Sequence, residues 1–239
     1  MLVAARYFAV PILKDVFSIP NLTLPAIPEK GDIGPQNQHR IPVDQVSAAM
    51  KDAMLAAEDH RFYEHQGIDG LGIVRAMMDN IKAGHMIEGG STIPQQLAKV
   101  MFLDGFERTP KRKLIQTVMV AELEDKYPKE RILESYFNCV YFGRGSYSIE
   151  DAARNYFGTH AAKLDVAEAA YIAGAVRAPS ILGAQKNFAA ATVRQHQVID
   201  NMTEYGYVTA QEAEDAKAER LIFKTKPGDK LAKKIDVAK

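Results

Sequence analysis

Three features of the sequence predict a mainly α fold. No run alternates apolar and polar residues convincingly as a strand, apolar residues return at helical spacing in one window after another, and helix-start signals recur along the chain.

Residues 1–24 belong to none of these windows. Met1 to Pro20 is fairly apolar, but Arg6, Pro11, Lys14 and Asp15 interrupt it, so it is no unbroken span of about 20 apolar residues, and it carries no clean small-residue cleavage site. It reads equally as the remnant of a membrane anchor, an interfacial segment, or an ordinary leader. Pro20, Pro25, Pro28, Gly31, Gly34 and Pro35 then punctuate an extended linker. The expected division is a leader and linker over 1–40, one domain over 41–220, and a basic tail over 221–239. From Lys217 onward the lysine-rich end is expected to fray.

From Val43 the pattern turns helical. Val46, Met50, Met54 and Ala57 recur near the helical period and bring the chain to Glu58 at a helix end. Ile68 to Ala83 reads as a second helix, with Leu71, Val74, Met77, Met78 and Ile81 on its apolar side. Ser91 or Thr92 caps a third that runs through Gln95, Leu97 and Met101, with Pro94 tolerated in its first turn. Thr109-Pro110 repeats the start signal, and Leu114, Val118, Ala121 and Leu123 carry that helix to about Lys126. Pro128 opens another, with Ile132, Leu133, Tyr136 and Phe137 facing inward. Asp165-x-x-Glu168 is a capping box for a helix that ends before Pro179, and Thr209-x-x-Glu212 opens one more.

Composition bounds the function. At 239 residues and 47% hydrophobic, the chain can bury a proper core. Its formal net charge of zero gives no argument for nucleic acid as a partner. The single Cys139 excludes an intramolecular disulfide and suits a small buried apolar role. Six scattered histidines form no His-Glu-x-x-His pattern, which argues against zinc.

The chemistry concentrates between Ala57 and Lys113. An acidic cluster, Glu58-Asp59-His60-Arg61-Phe62-Tyr63-Glu64-His65-Gln66-Gly67-Ile68-Asp69, precedes a polar turn, Gly89-Gly90-Ser91-Thr92-Ile93-Pro94-Gln95-Gln96. Lys99, Arg108, Lys111, Arg112 and Lys113 follow. Taken singly, these are ordinary: an acidic pair at a helix end, a turn with a cap, a solvated charged face. Together they suit the removal of a sugar from a diphosphate, where one group takes a proton, amides at a helix start favour an anion, and cations hold the departing charge.

The first block reads Glu-Asp-x-x-Phe-x-x-His-x-Gly-x-Asp from Glu58 to Asp69, and the second Gly-Gly-Ser-Thr-Ile-x-Gln-Gln-Leu-x-Lys from Gly89 to Lys99. Both resemble signature motifs of the peptidoglycan glycosyltransferases of glycosyltransferase family 51, found in class A penicillin-binding proteins and monofunctional transglycosylases. Arg112-Lys113, the run Arg131 to Gly143, and Leu164 to Ser180 are similar to further family blocks, so the resemblance spans about residues 40–205.

The resemblance implies a lysozyme-like fold, with a large head lobe and a small membrane-proximal jaw lobe. It also implies polymerisation of lipid II into β-1,4-linked glycan with inversion and release of undecaprenyl diphosphate. Glu58 would be the general base; Lys99, Arg108, Arg112 and Lys113 would neutralise the diphosphate; Ser91, Thr92, Gln95, Gln96 and Asn138 would bind substrate. Asp59, Phe62, His65, Gly67, Gly89 and Gly90 would shape the motifs. Mg2+ or Mn2+ would accompany the diphosphate, with no other cofactor. Expected partners are lipid II, the growing glycan, the membrane surface, moenomycin as inhibitor, and other cell-wall synthesis proteins. The expected location is the periplasmic face of the bacterial inner membrane.

One departure stands out: Gln116 occupies the position of the family's second glutamate and lacks its charge. Pro94, Val100 and Ser148 are smaller departures. No Ser-x-x-Lys occurs, and Lys224-Thr225-Lys226 is not Lys-Thr-Gly, so the chain is expected to be a monofunctional transferase or an excised module. Two alternatives of other classes are a catalytically impaired glycolipid-binding or scaffold domain, suggested by Gln116, and a lysozyme-like lytic hydrolase.

Overall fold

A computed structural model describes residues 38–65, 91–102, 110–184 and 187–224, with the side chains of 102 and 110–114 outside that description. Its α-helices are α1 (Ala48–Glu58), α2 (Ile93–Phe102), α3 (Pro110–Lys126), α4 (Lys129–Phe137), α5 (Ile149–Tyr156), α6 (Val166–Val176), α7 (Pro179–Leu182), α8 (Phe188–Glu204) and α9 (Ala210–Ala218), with single 3-10 turns at Val43–Gln45 and Ala161–Lys163. Among the described residues there is no strand, only one isolated bridge between Gly143 and Ser146. The mainly α prediction holds there, and the helix expected over 68–83 lies outside them.

Most starts follow the sequence signals. Asp165 accepts from Glu168 N to open α6, and Thr209 and Glu212 form a reciprocal capping box at α9. α1 starts later than the pattern from Val43 suggests: Val43–Gln45 form only a 3-10 turn, and the Ser47 hydroxyl accepts from Met50 N to open the helix at Ala48. Three helices lacked a prediction, the four-residue α7 among them. α5 has a readable signal, the Ser148 hydroxyl accepting from Asp151 N at 3.1 Å. α8 has none: Asn187 makes no side-chain cap, and Thr192, Val193, Val198 and Ile199 lower the intrinsic helical preference.

The chain divides into two compact units, Met1–Ile33 with Arg61–Cys139, and Gly34–His60 with Val140–Lys239. In the first, α2 packs on α3 and α4 through Ile93, Leu97, Val120, Leu123, Ile132, Leu133, Tyr136 and Phe137. Burying each of these large side chains contributes about 2 kcal/mol.

The second unit is built on α6. Residues 169 to 176 of that helix are all buried, and a helix apolar around its whole circumference must be enclosed by neighbours. α8 and α1 do most of the enclosing. The approach of α8 is close at Gly174, where an added Cβ would lie 3.0 Å from Arg194 Cγ.

A tight turn at 143–146 follows, with Arg144 at φ 54 and Gly145 at φ 78. Gly143, at φ 90, backs onto Gly183: a Cβ on Gly143 would meet the Tyr156 hydroxyl at 2.6 Å and the Pro179 carbonyl at 2.7 Å. The same hydroxyl donates to the Phe142 carbonyl at 2.8 Å.

The expected fraying from Lys217 is corrected as far as Lys224. Lys217 lies in α9 and pairs with Asp200 at 2.6 Å; Leu221 is buried; Phe223 stacks among Phe157, Tyr171 and Phe188 at 5.0–5.4 Å; and Lys224 N donates to the Tyr156 carbonyl at 2.7 Å. Lysine content masked the apolar Leu221 and Phe223, which supply the anchoring area.

Two predictions follow from this packing. Gly143→Ala should cost about 2 kcal/mol in denaturant unfolding, because it combines a left-handed backbone with a clash against atoms that are themselves hydrogen-bonded. Burial, then the charge of Asp165, push the Glu168 carboxyl from 4.5 up to about 7. The folded chain therefore keeps that proton where the unfolded chain loses it, so stability falls as pH rises from 4.5 to about 7. Glu168→Gln should raise the Tm at pH 8 and leave it unchanged near pH 4, as read by calorimetry.

Candidate functional site

Glu58 is the last residue of α1 and is half-buried. Asp59 leaves the helix at φ −163, while its N–H still bonds the Leu55 carbonyl. The final carbonyls of a helix have no partner in its own ladder. Here α8 supplies partners: Asn201 Nδ2 donates to the Ala56 carbonyl at 3.2 Å, and Arg194 Nη2 reaches the Ala57 carbonyl at 3.5 Å. Tyr207 donates to the His60 carbonyl at 3.4 Å, and the His60 ring stacks on Tyr205 at 4.2 Å. Glu58 thus stands on a helix end braced on both sides of it in sequence. Neither Asn201 nor Tyr205 carries a sequence signal, since each belongs to the unpredicted α8 or its cap.

The remainder of the acidic cluster is in the other unit. Phe62 is fully buried, with the Tyr63 ring edge-on at 5.0 Å and His65 at 6.3 Å. Lys129 was missed in the sequence. Its ammonium sits 4.6 Å above the Phe62 ring, donates to the His65 carbonyl at 2.7 Å, and pairs with Glu124 at 2.7 Å. A desolvated ammonium so placed combines cation–π attraction, a charge-assisted hydrogen bond and an ion pair. Phe62, His65 and Asp59 are all buried.

The polar turn resolves into a cap. Thr92 N donates to Gln95 Oε1 at 3.2 Å, and Gln95 N to Thr92 Oγ at 3.4 Å, a reciprocal closure of the first turn of α2. Both residues are almost fully buried, at 3% and 2% exposure, so the role their contacts display is structural. Gln96 accepts from the Tyr136 hydroxyl at 3.1 Å. Gln116, also buried, donates from Nε2 to the Gln95 carbonyl at 2.5 Å. Lys99, in the last turn of α2, is exposed and presents its charge outward. Asn138 closes α4: its N–H and its Nδ2 both turn back to the Glu134 carbonyl. Ser91 is half-buried just before α2.

Arg112 and Lys113 lie in the first turn of α3. Gly67, Gly89, Gly90 and Arg108 fall outside the described residues. Among the described residues, no three His, Cys, Asp or Glu side chains gather as metal ligands, and Gln116 turns a donor, not an acceptor, to its partner. No described helix is long and apolar enough to cross a membrane.

Comparison with known proteins covers the same blocks. A family model described as Transglycosylase matches residues 28–203. Penicillin-binding protein 1A of Neisseria flavescens is 38% identical over 193 residues, covering 81% of this chain and 24% of its own length. Penicillin-binding protein 1A of Aquifex aeolicus (strain VF5) is 39% identical over 186 residues, covering 78% of this chain and 26% of its own. The chain thus spans about a quarter of the length of these curated relatives. A crystal structure of Penicillin-binding protein 1A from Haemophilus influenzae overlaps 78% of this chain and 18% of that one, at 22% identity and a TM-score of 0.44, too low to fix the fold by itself. With the family model covering most of the chain, including Glu58, Ser91 to Lys99 and Gln116, this protein belongs to the transglycosylase family.

Proposed function

We propose that this chain is a peptidoglycan glycosyltransferase domain that polymerises lipid II into β-1,4-linked glycan, with inversion and release of undecaprenyl diphosphate. The observation that carries the reading is the family match over 28–203, which includes the glutamate at the end of α1. In this reading the Glu58 carboxylate takes the acceptor hydroxyl proton as that oxygen forms its bond to the anomeric carbon. The bond to the diphosphate breaks on the opposite face, as in inverting glycosidases with a sugar in place of water. Lys99, Arg108, Arg112 and Lys113 are assigned to the charge that accumulates on the diphosphate. The helix-end bracing of Glu58 supports this assignment, because a base must be held in place to act in the transition state.

The proposed location is the outer face of the bacterial inner membrane, where the lipid-linked substrate is presented, and moenomycin is the inhibitor proposed for the same subsites. The relatives do not favour the reading as an impaired domain. Mg2+ or Mn2+, where present, is assigned to the diphosphate oxygens.

A lipid II polymerisation assay tests the reading. The unaltered chain should elongate glycan, and Glu58→Gln should lower turnover by about 10²–10⁴-fold with an unchanged Tm. Undiminished polymerisation by that variant would overturn the base assignment. Lys99→Ala should weaken donor binding more at low than at high salt, since an exposed charge is screened by ions. A loss independent of salt would remove Lys99 from the diphosphate subsite.

A further inference from the structure

We infer that Gln116 is a positioning residue whose amide hydrogen, rather than any charge, sets the start of α2 and so the course of the helix that carries Lys99. The bond is between Nε2 and the Gln95 carbonyl, and because a carbonyl only accepts, the nitrogen of the amide must face it. Gln95 is no ordinary acceptor. Its side chain and its N–H close the first turn of α2 with Thr92, and by helical geometry its carbonyl is the one addressed by the N–H of Lys99, one turn on. Gln116 thus adds a second donor to a carbonyl between the cap and the cationic turn. All three of Thr92, Gln95 and Gln116 are buried, so no water replaces a lost partner cheaply.

A glutamate at position 116 would act differently. At neutral pH an ordinary carboxylate has no hydrogen to give, and it would bring its charge against a carbonyl oxygen in a buried setting. This chain therefore uses the position for a hydrogen bond that an ionised glutamate could not make. Its bearing on catalysis rests on the transglycosylase reading; the bond itself does not.

The test compares Gln116→Glu and Gln116→Met with the unaltered chain in two measurements. Native-state hydrogen exchange should show the amides of α2 opening about tenfold faster in both variants, while α6 and α8 are unchanged. In lipid II polymerisation both variants should raise the KM for the lipid-linked donor more than they lower kcat. Retention of wild-type exchange in α2 by Gln116→Met would overturn the inference, as would a rise in kcat for Gln116→Glu above the unaltered chain, which would mean that the position acts through charge. If the unaltered chain shows no polymerisation, the exchange data still decide the positioning role, and only the functional reading fails.

Discussion

The enclosure of α6 governs the unit that carries Glu58. From residue 169 to 176, α6 is alanines, one glycine and a few larger apolar side chains with no polar face to offer water, so this stretch is stable only when neighbours cover it on every side. Covering it brings α1 and α8 together, and once they are adjacent the side chains of α8 reach the last carbonyls of α1. The place where α1 ends, and with it the position of Glu58, is thus a by-product of burying another helix. Gly174 shows how close this packing is: nothing larger fits against Arg194 without movement.

The other unit solves a different problem. Four of its polar residues turn inward, where they close helix ends: Thr92 with Gln95, Gln116 onto the Gln95 carbonyl, Asn138 onto the Glu134 carbonyl. Buried polar groups are costly unless paired, and paired they specify one arrangement of the helices that carry them. Lys129 does the same for the segment after Glu58, gripping one carbonyl, one ring and one carboxylate at once. Against this fixed background, Lys99 is exposed.

The charged groups of the second unit divide by their hydrogen bonding. Burial alone would push the Glu150 carboxyl up, but the Ala161 N–H, His160 and Arg154 bond its oxygens and hold it below the ordinary carboxylate range. Glu168 has weaker compensation and a like charge beside it, so burial prevails. The first contributes stability that is lost as pH falls; the second costs stability that returns as pH falls.

Much of this was legible in the chain. Helix starts depend on a residue and its partner three positions away, so Ser91-Thr92 ahead of Gln95, Asp165 with Glu168, and Thr209 with Glu212 could be read locally, and family motifs marked Glu58 and Lys99. What sequence alone did not disclose were interactions between residues far apart. Asn201 and Arg194 on α1, Lys129 on Phe62 and His65, Phe223 among the aromatic rings, and the pairing of Gln116 with Gln95 each join positions with no fixed spacing. Sequence determined which residue types could do chemistry and where helices begin, because those depend on near neighbours. Only the tertiary structure decided which polar groups serve as scaffolding, because burial and the reach of a distant side chain are properties of the packed molecule.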